Sequence, residues 1–344
     1  MTRTTSPRPV NIAKVLPGLA PLARTATRLH PSPGSPSPRD SSVGGPLLWP
    51  AAEPWPHCDG PHEPDGVNPA TSLGDVRLLR RIRAAASRSQ SNPLFTPYDS
   101  SVNDRISAGR PWPEGPVPLL SVAQLYVRDI PLLRPARQAD LLQVLWCPFE
   151  HPPQPHPATA VFWRSAAEVT GLRTQPPEPA PAQYEWYVPE PCLLNPEQVT
   201  EYPHPMELSR DLQELLGEWS RRQTAGTGPA SSYATEPEGF YRDELSVAPG
   251  WKVGGWTRWG LTDPIPQFCP ACGTEMAPLL TIASTEWDDS TRSWIPYEDQ
   301  AHAALSATYP DPANPAMIMV ASGYDLQLYA CPAFSDHPHT ALVQ

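Results

Sequence analysis

Apolar positions along this chain fall into two spacings, which together predict many short strands and a few helices. LLSVAQLYV (119–127) and DLLQVLWC (140–147) are short apolar runs bounded by turn signals, the pattern of buried strands. AVFWR (160–164) and YEWYV (184–188) read the same way. WKVGGW (251–256), PLLTIAST (278–285), PAMIMVAS (315–322) and YDLQLYAC (324–331) supply the last strands. Helical spacing is rarer. Ile12, Val15, Leu16, Leu19, Leu22, Ala26 and Leu29 show it, but Pro17 and Pro21 break it, so residues 11–29 predict one or two short helices. Val76, Leu79, Ile82 and Ala86 share a face behind a Ser72/Asp75 capping box. They predict a helix at 73–88 whose outer face carries Arg77, Arg80, Arg81 and Arg83, a solvated surface or a site for an acidic partner. Met206–Arg222 is the clearest helix, with Leu208, Leu212, Leu215 and Trp219 in one stripe. Asn195-Pro196 predicts another helix start, residues 223–248 a loop, residues 1–9 disorder, and PSPGSPSPRD (31–40) a linker or surface loop.

Three of these segments recur in order. Val43-Gly44-Gly45 returns as Val253-Gly254-Gly255. Pro118-Leu-Leu-Ser-Val-Ala returns as Pro278-Leu-Leu-Thr-Ile-Ala. Leu142-Gln-Val-Leu-Trp-Cys-Pro148 returns as Leu326-Gln-Leu-Tyr-Ala-Cys-Pro332. One match alone is weak, because apolar strands look alike; the ordered set argues for two related halves. We expect an α+β fold, internally duplicated, with mainly antiparallel sheet halves at 41–165 and 250–344. A helical connection, 166–249, is expected to join them within one domain spanning 10–344, and 63–117 is an insertion in the first half. The glycine pairs are not a phosphate loop, since no Gly-x-Gly-x-x-Gly or Gly-Lys-Ser/Thr is present.

Composition sharpens this picture. Of 344 residues, 50 are proline, about three times the usual share, and proline breaks helix interiors. Long helices are excluded as the main architecture. Twelve Trp and eleven Tyr argue against a disordered chain, because nothing there would bury them. No window of 18 apolar residues exists, so no membrane span is expected. Residues 1–39 hold six cations and no acid, while residues 40–344 hold 19 cations and all 36 acids, a net of −17. A body so acidic repels nucleic acid and suits a soluble protein or one that meets a basic partner. The start carries no secretory h-region and resembles a transit peptide only in charge, so a cytoplasmic protein is expected. In that compartment disulfides are rare, and the six cysteines are thiols or metal ligands.

Cys269-Pro-Ala-Cys272-Gly is the most specific local motif, the shape of a zinc knuckle. A redox pair would precede a helix, and here a strand pattern follows. If strands 278–284 and 324–330 pair antiparallel, Cys331 joins Cys269 and Cys272. The C-x2-C partner position holds Phe334, so His337 or His339 is the expected fourth ligand. The duplication points to a second, weaker set, Cys58, His62, Cys147 and His151. Cys192 has no partner and reads as core. Four protein ligands make a structural zinc site. Three ligands with an open position would make a zinc-dependent hydrolase on Cys269, Cys272 and Cys331, with Glu286, Asp288 or Asp289 as base.

SSVGGPLLWPAAEPWP, PLLSVAQLYVRDIP, DLLQVLWCP, WKVGGWTRW, CPACGTEMAPLLTIASTEWD and YDLQLYACP resemble the YwqG-like family, a bacterial domain of unknown function, in its actinobacterial branch. The resemblance covers about residues 10–344 and implies an α+β fold with two similar halves in a cytosolic protein. It carries no catalytic residues. It suggests an immunity role beside polymorphic toxins and, where cysteine pairs occur, a metal-stabilised subgroup. The expectation is therefore a monomeric, non-enzymatic binding, immunity or regulatory protein. Zinc is its expected cofactor and a basic toxin its expected partner.

Overall fold

A computed structural model describes residues 2–63, 69–88, 97–135, 138–224, 238–303 and 309–344. The strands in chain order are β1 (Arg24–Arg28), β2 (Ser32–Pro33), β3 (Ser42–Val43), β4 (His57–Cys58), β5 (Thr71–Ser72), β6 (Val117–Pro118), β7 (Leu120–Tyr126) and β8 (Leu141–His151). They continue with β9 (Gln154–Arg164), β10 (Pro181–Ala182), β11 (Cys192–Leu193), β12 (Glu197–Glu201), β13 (Lys252–Gly254), β14 (Ala277–Ile282), β15 (Leu326–Ala330) and β16 (Thr340–Val343). The α-helices are α1 (Ile12–Val15), α2 (Leu73–Arg88), α3 (Pro97–Ala108), α4 (Arg210–Thr224) and α5 (Gln300–Ala303). The fold is α+β, with every strand pairing antiparallel. Among the described residues no helix is long and apolar enough to cross a membrane.

Two six-stranded sheets form the body, in the orders β2-β11-β3-β7-β8-β9 and β12-β1-β13-β14-β15-β16. One buried cluster draws on both, from Val43, Val122, Leu142 and Val144 to Val253, Leu280, Ile282 and Leu326. β8 shows why its sequence is one continuous apolar run. Leu142, Val144 and Trp146 face this central core, while Leu145, Cys147 and Phe149 fill a second cluster on the opposite face with Trp49 and Trp55.

The two sheets repeat each other strand by strand. Val43 pairs with Ala123 and Val253 with Leu280; Gln124 pairs with Gln143 and Thr281 with Gln327. A bulge interrupts both ladders at matching places, Ser121/Ala123 and Pro278/Leu280. These registers correct one of the sequence matches. Ala123 corresponds to Leu280, three residues away from the Ala283 that the similarity of PLLSVA and PLLTIA suggests. Leucine-rich strands align well in several registers, and only the hydrogen bonds decide.

The halves also exchange a strand. β1 lies beside β13 and β11 lies beside β3, so Thr27 corresponds to Cys192. Leu29-His30-Pro31 then matches Leu194-Asn195-Pro196, and after each proline the chain crosses to the other sheet as β2 or β12. At the crossing Asn195 N donates to Leu29 O at 2.8 Å, and its side-chain amide to His30 O at 3.1 Å.

Several sequence readings need correction. Residues 2–9 are not disordered: Thr5 bridges Pro296, Arg3 pairs with Asp299, and Arg8 donates to Ser293 O at 2.6 Å. The helix expected after Asn195-Pro196 is strand β12, held on β1. YEWYV is a 3-10 turn at Glu185–Tyr187, because Arg80 takes the carbonyls of Glu185 and Val188. Arg80 is thus buried rather than solvated, and Arg77 pairs with Glu178. Helix α4 begins at Arg210, after the Pro205–Glu207 3-10 turn, so its buried face runs through Leu212, Leu216 and Trp219. Leu215 is 48% exposed. PAMIMVAS forms no strand beyond a Val320–Tyr324 bridge. The expected loop 223–248 contains a π-helical turn at Tyr241–Ser246, and its residues 225–237 lie outside the described residues.

Candidate metal centres

The knuckle forms because the backbone closes a tight turn around one cysteine. Cys269 N donates to Thr274 O and Gly273 N to Cys269 O, both at 2.8 Å. Gly273 sits at φ +70, which a side chain would strain. Phe268 bridges Glu275, as His57 bridges Pro118 in the first half, so Cys58 and Cys269 occupy matching positions. Cys147 and Cys331 match as well, each four residues beyond the paired Gln143 and Gln327. The second ligand of each pair comes from slightly different offsets: His62 against Cys272, and His151 against His337.

The structure therefore gathers Cys58, His62, Cys147 and His151 in one cluster and Cys269, Cys272, Cys331 and His337 in another. Within each cluster all four donor atoms lie within 4.8 Å of one another. In the first, Cys58 Sγ is 3.4 Å from His151 Nε2 and Cys147 Sγ is 3.3 Å from His62 Nε2. In the second, Cys269 Sγ is 3.4 Å from His337 Nδ1 and Cys272 Sγ is 3.6 Å from Cys331 Sγ. Bonds of ~2.3 Å to sulfur and ~2.0 Å to nitrogen place tetrahedral ligand atoms about 3.5–3.8 Å apart. Both clusters have the size of such a shell and could hold a metal ion. His339, the other histidine weighed from the sequence, is bound instead to Thr159 Oγ1 at 2.8 Å. Phe334 packs on His337 at 4.6 Å between ring centroids. Cys192 is buried among apolar residues of the central core.

Each cluster holds one thiol poised to ionise. A hydrogen bond from Cys147 pulls Cys58 down to about 5, and the same bond, with burial, pushes Cys147 well up. The Thr274 hydroxyl and backbone draw Cys272 down to about 6, while burial raises Cys331. Binding a metal would ionise the remaining thiols. The clusters differ in access: Cys147 is fully buried and Cys272 is exposed.

The acids considered as a base for a hydrolytic metal lie elsewhere. Cys269 and Cys272 precede β14 and Glu286 follows it. Six residues at ~3.3 Å each separate them by roughly 20 Å. Asp288 caps its own turn through Ser290 and Thr291, and Asp289 pairs with Arg292. Glu286 belongs to a buried charged group that sequence reasoning missed. Arg28 donates to Trp294 O and Glu286 O. His30, at φ 44, holds Glu197 through Nε2 at 3.2 Å. Glu286 Oε1 accepts from Trp251 N. Burial pushes Glu286 up to about 7 and, aided by Arg28, pushes His30 down to about 4. The signal was the Leu-His-Pro/Leu-Asn-Pro repeat, too short to notice without the sheet registers.

Neither a scan against protein-family models nor a search of curated proteins finds a match to this chain.

Proposed function

We propose that this is a zinc-stabilised binding protein of the bacterial cytosol, serving an immunity or regulatory role toward a basic protein partner. One observation carries the reading: a four-ligand Cys/His cluster stands at the matching place in each half of the fold. Four protein ligands saturate a tetrahedral zinc and leave no position for water or substrate, which supports a structural ion. Two or three thiolates with imidazole suit zinc better than the hard cations that prefer oxygen. In each half the ion would tie the turn after Cys58 or Cys269 to the fifth strand of its six-stranded sheet, at Cys147 within β8 and at Cys331 just past β15. The partner's sign follows from charge, since the chain carries a net of −11, and such a field speeds encounter with a basic surface. The bacterial and immunity setting rests on the motif resemblance to the YwqG-like family read from the sequence.

Elemental analysis of the purified chain tests the first part. About two zinc ions per chain, retained until the protein unfolds, is the expected result. Zinc-free folded protein overturns it. Capture from native-host lysate tests the second part. A basic protein recovered specifically and lost at high salt supports the reading; no specific partner refutes it.

A further inference from the structure

The duplication supplies an internal control for a second site. In the first half Leu48, Tyr126 and Leu141 form a buried apolar cluster with Ala166 and Val169 against it. The paired registers fix their counterparts. Leu48 stands five residues after Val43, and Arg258 five after Val253. Tyr126 stands two after Gln124, and Ala283 two after Thr281. Leu141 stands two before Gln143, and Asp325 two before Gln327. So where the first half has two leucines and a tyrosine, the second has an arginine, an aspartate and an alanine. Arg258 and Asp325 line a cleft of about 580 Å³, together with His204, Trp259, Asp288 and Tyr324.

Donors and acceptors without full partners meet in this cleft. His204 is 4% exposed, and its Nδ1 accepts from Met206 N at 3.3 Å. The ring proton therefore sits on Nε2, and that buried N–H has no acceptor among the described residues. Arg258 stands 3.8 Å from Asp288 Oδ2, beyond hydrogen-bonding distance. Facing them, Asp325 accepts from Ser284 N through Oδ1 at 3.1 Å, and Asp288 carries a second carboxylate. Arg242 and Asp243 already pair with each other through two hydrogen bonds of 2.9 Å. A simple anion would meet Asp325 and Asp288, and a simple cation would meet Arg258. A ligand bearing both charges satisfies the whole set, and Trp259 and Met206 offer apolar wall.

We propose that this cleft binds a small zwitterion of the α-amino acid class, its carboxylate held by Arg258 and the His204 Nε2–H, its ammonium by Asp325 and Asp288. Burial, with Arg242 and Arg258 nearby, holds His204 down at about 4, so it stays a neutral, fixed donor at physiological pH. The site is independent of the metal clusters. Asp325 precedes β15 and Cys331 follows it, so the strand's length, roughly 17 Å, separates them.

Calorimetric titration of the full chain with each standard α-amino acid, up to about 10 mM, tests this. At least one should bind, and its decarboxylated and deaminated analogues should each bind at least ~10-fold more weakly. Arg258→Gln should weaken it by ~10-fold or more, and Asp325→Asn likewise. Arg258→Leu, which installs the residue found at the matching position of the first half, should abolish binding without lowering the melting temperature. Should Asp325→Asn fail to fold, the Arg258 variants and the analogue series decide. Absence of binding by every amino acid, or affinity unchanged in Arg258→Gln, overturns the proposal. Neither result touches the zinc count, so this site and the metal reading fail separately.

Discussion

Glu201 and Lys252 offer the sharpest energetic test of this fold. Their side chains are 0% and 1% exposed, and Lys252 Nζ donates to both carboxylate oxygens at 2.7 and 2.8 Å. Glu201 also accepts from Ala248 N and Trp256 N. Gly255, at φ +75, lets the chain pass: a Cβ there would lie 2.2 Å from the Glu201 carboxylate. Glu201→Gln keeps the shape but only one acceptor oxygen, so its NH2 faces one of the two backbone N–H groups and the ammonium loses its counter-charge. Breaking a buried pair in this way costs about 3–5 kcal/mol. At ~2.1 cal/mol/K per residue, 344 residues unfold with an entropy near 0.7 kcal/mol/K, so Tm should fall by ~4–7 °C. Burial already pushes Lys252 below its ordinary 10.5. Its folded value being lowered, the variant's deficit should shrink as pH rises toward 10.5 and the lysine sheds its proton. Adding Lys252→Met removes the orphan charge and should recover the part of the loss due to it. Thermal unfolding of the wild type, both single variants and the double variant completes the cycle. A loss under ~1 °C in Glu201→Gln, or a double variant no better than that single, would refute the reasoning.

Four further outcomes are expected. Cys147→Ser should remove one metal equivalent and leave the other, read by elemental analysis. In the unmodified chain a chelator titration should empty the cluster with exposed Cys272 before the one with buried Cys147. Because burial raises Glu286 to about 7, the stability it supports is complete below its ordinary 4.5 and lost as pH climbs through about 7. Melting curves of Glu286→Gln should lack that slope, and identical slopes would remove the assignment. Leu216→Ala should cost about 2–5 kcal/mol in denaturant unfolding and Leu215→Ala within about 0.5, since only Leu216 packs on Leu19, Trp219 and Tyr241.

What could be read from the sequence was local. A C-x2-C turn announces its ligands within four residues, and Cys58-x3-His62 became legible once the halves were matched. β7 and β8 were plain because both their faces are covered, which leaves an unbroken apolar run. β1 was not: RTATR has one apolar residue, and Arg28 can be buried only because Trp294 O, Glu286 O and Thr5 Oγ1, all distant in sequence, receive its N–H groups. YEWYV has strong strand propensity, but Arg80 from α2 claims two of its carbonyls and holds a turn. The α4 stripe was misphased because Leu208 belongs to the preceding turn, which moves the buried face from Leu215 to Leu216.

The matched registers also separate what the fold needs from what it merely carries. Ser42, Leu193, Asn195 and Ser32 in one sheet stand where Lys252, Arg28, His30 and Glu197 stand in the other. Leu48 and Leu141 likewise face Arg258 and Asp325 across the duplication. The first sheet reaches the same pairing and the same bulge with apolar or small neutral residues at each of these places. Sheet formation therefore does not require the buried charges, which cost desolvation wherever they occur. They collect on the second sheet around the clefts at Asp325 and Glu286, while the Cys/His clusters stand in both halves alike. The Cys/His clusters thus belong to the repeated scaffold. The asymmetric charges mark where a ligand would distinguish one half from the other.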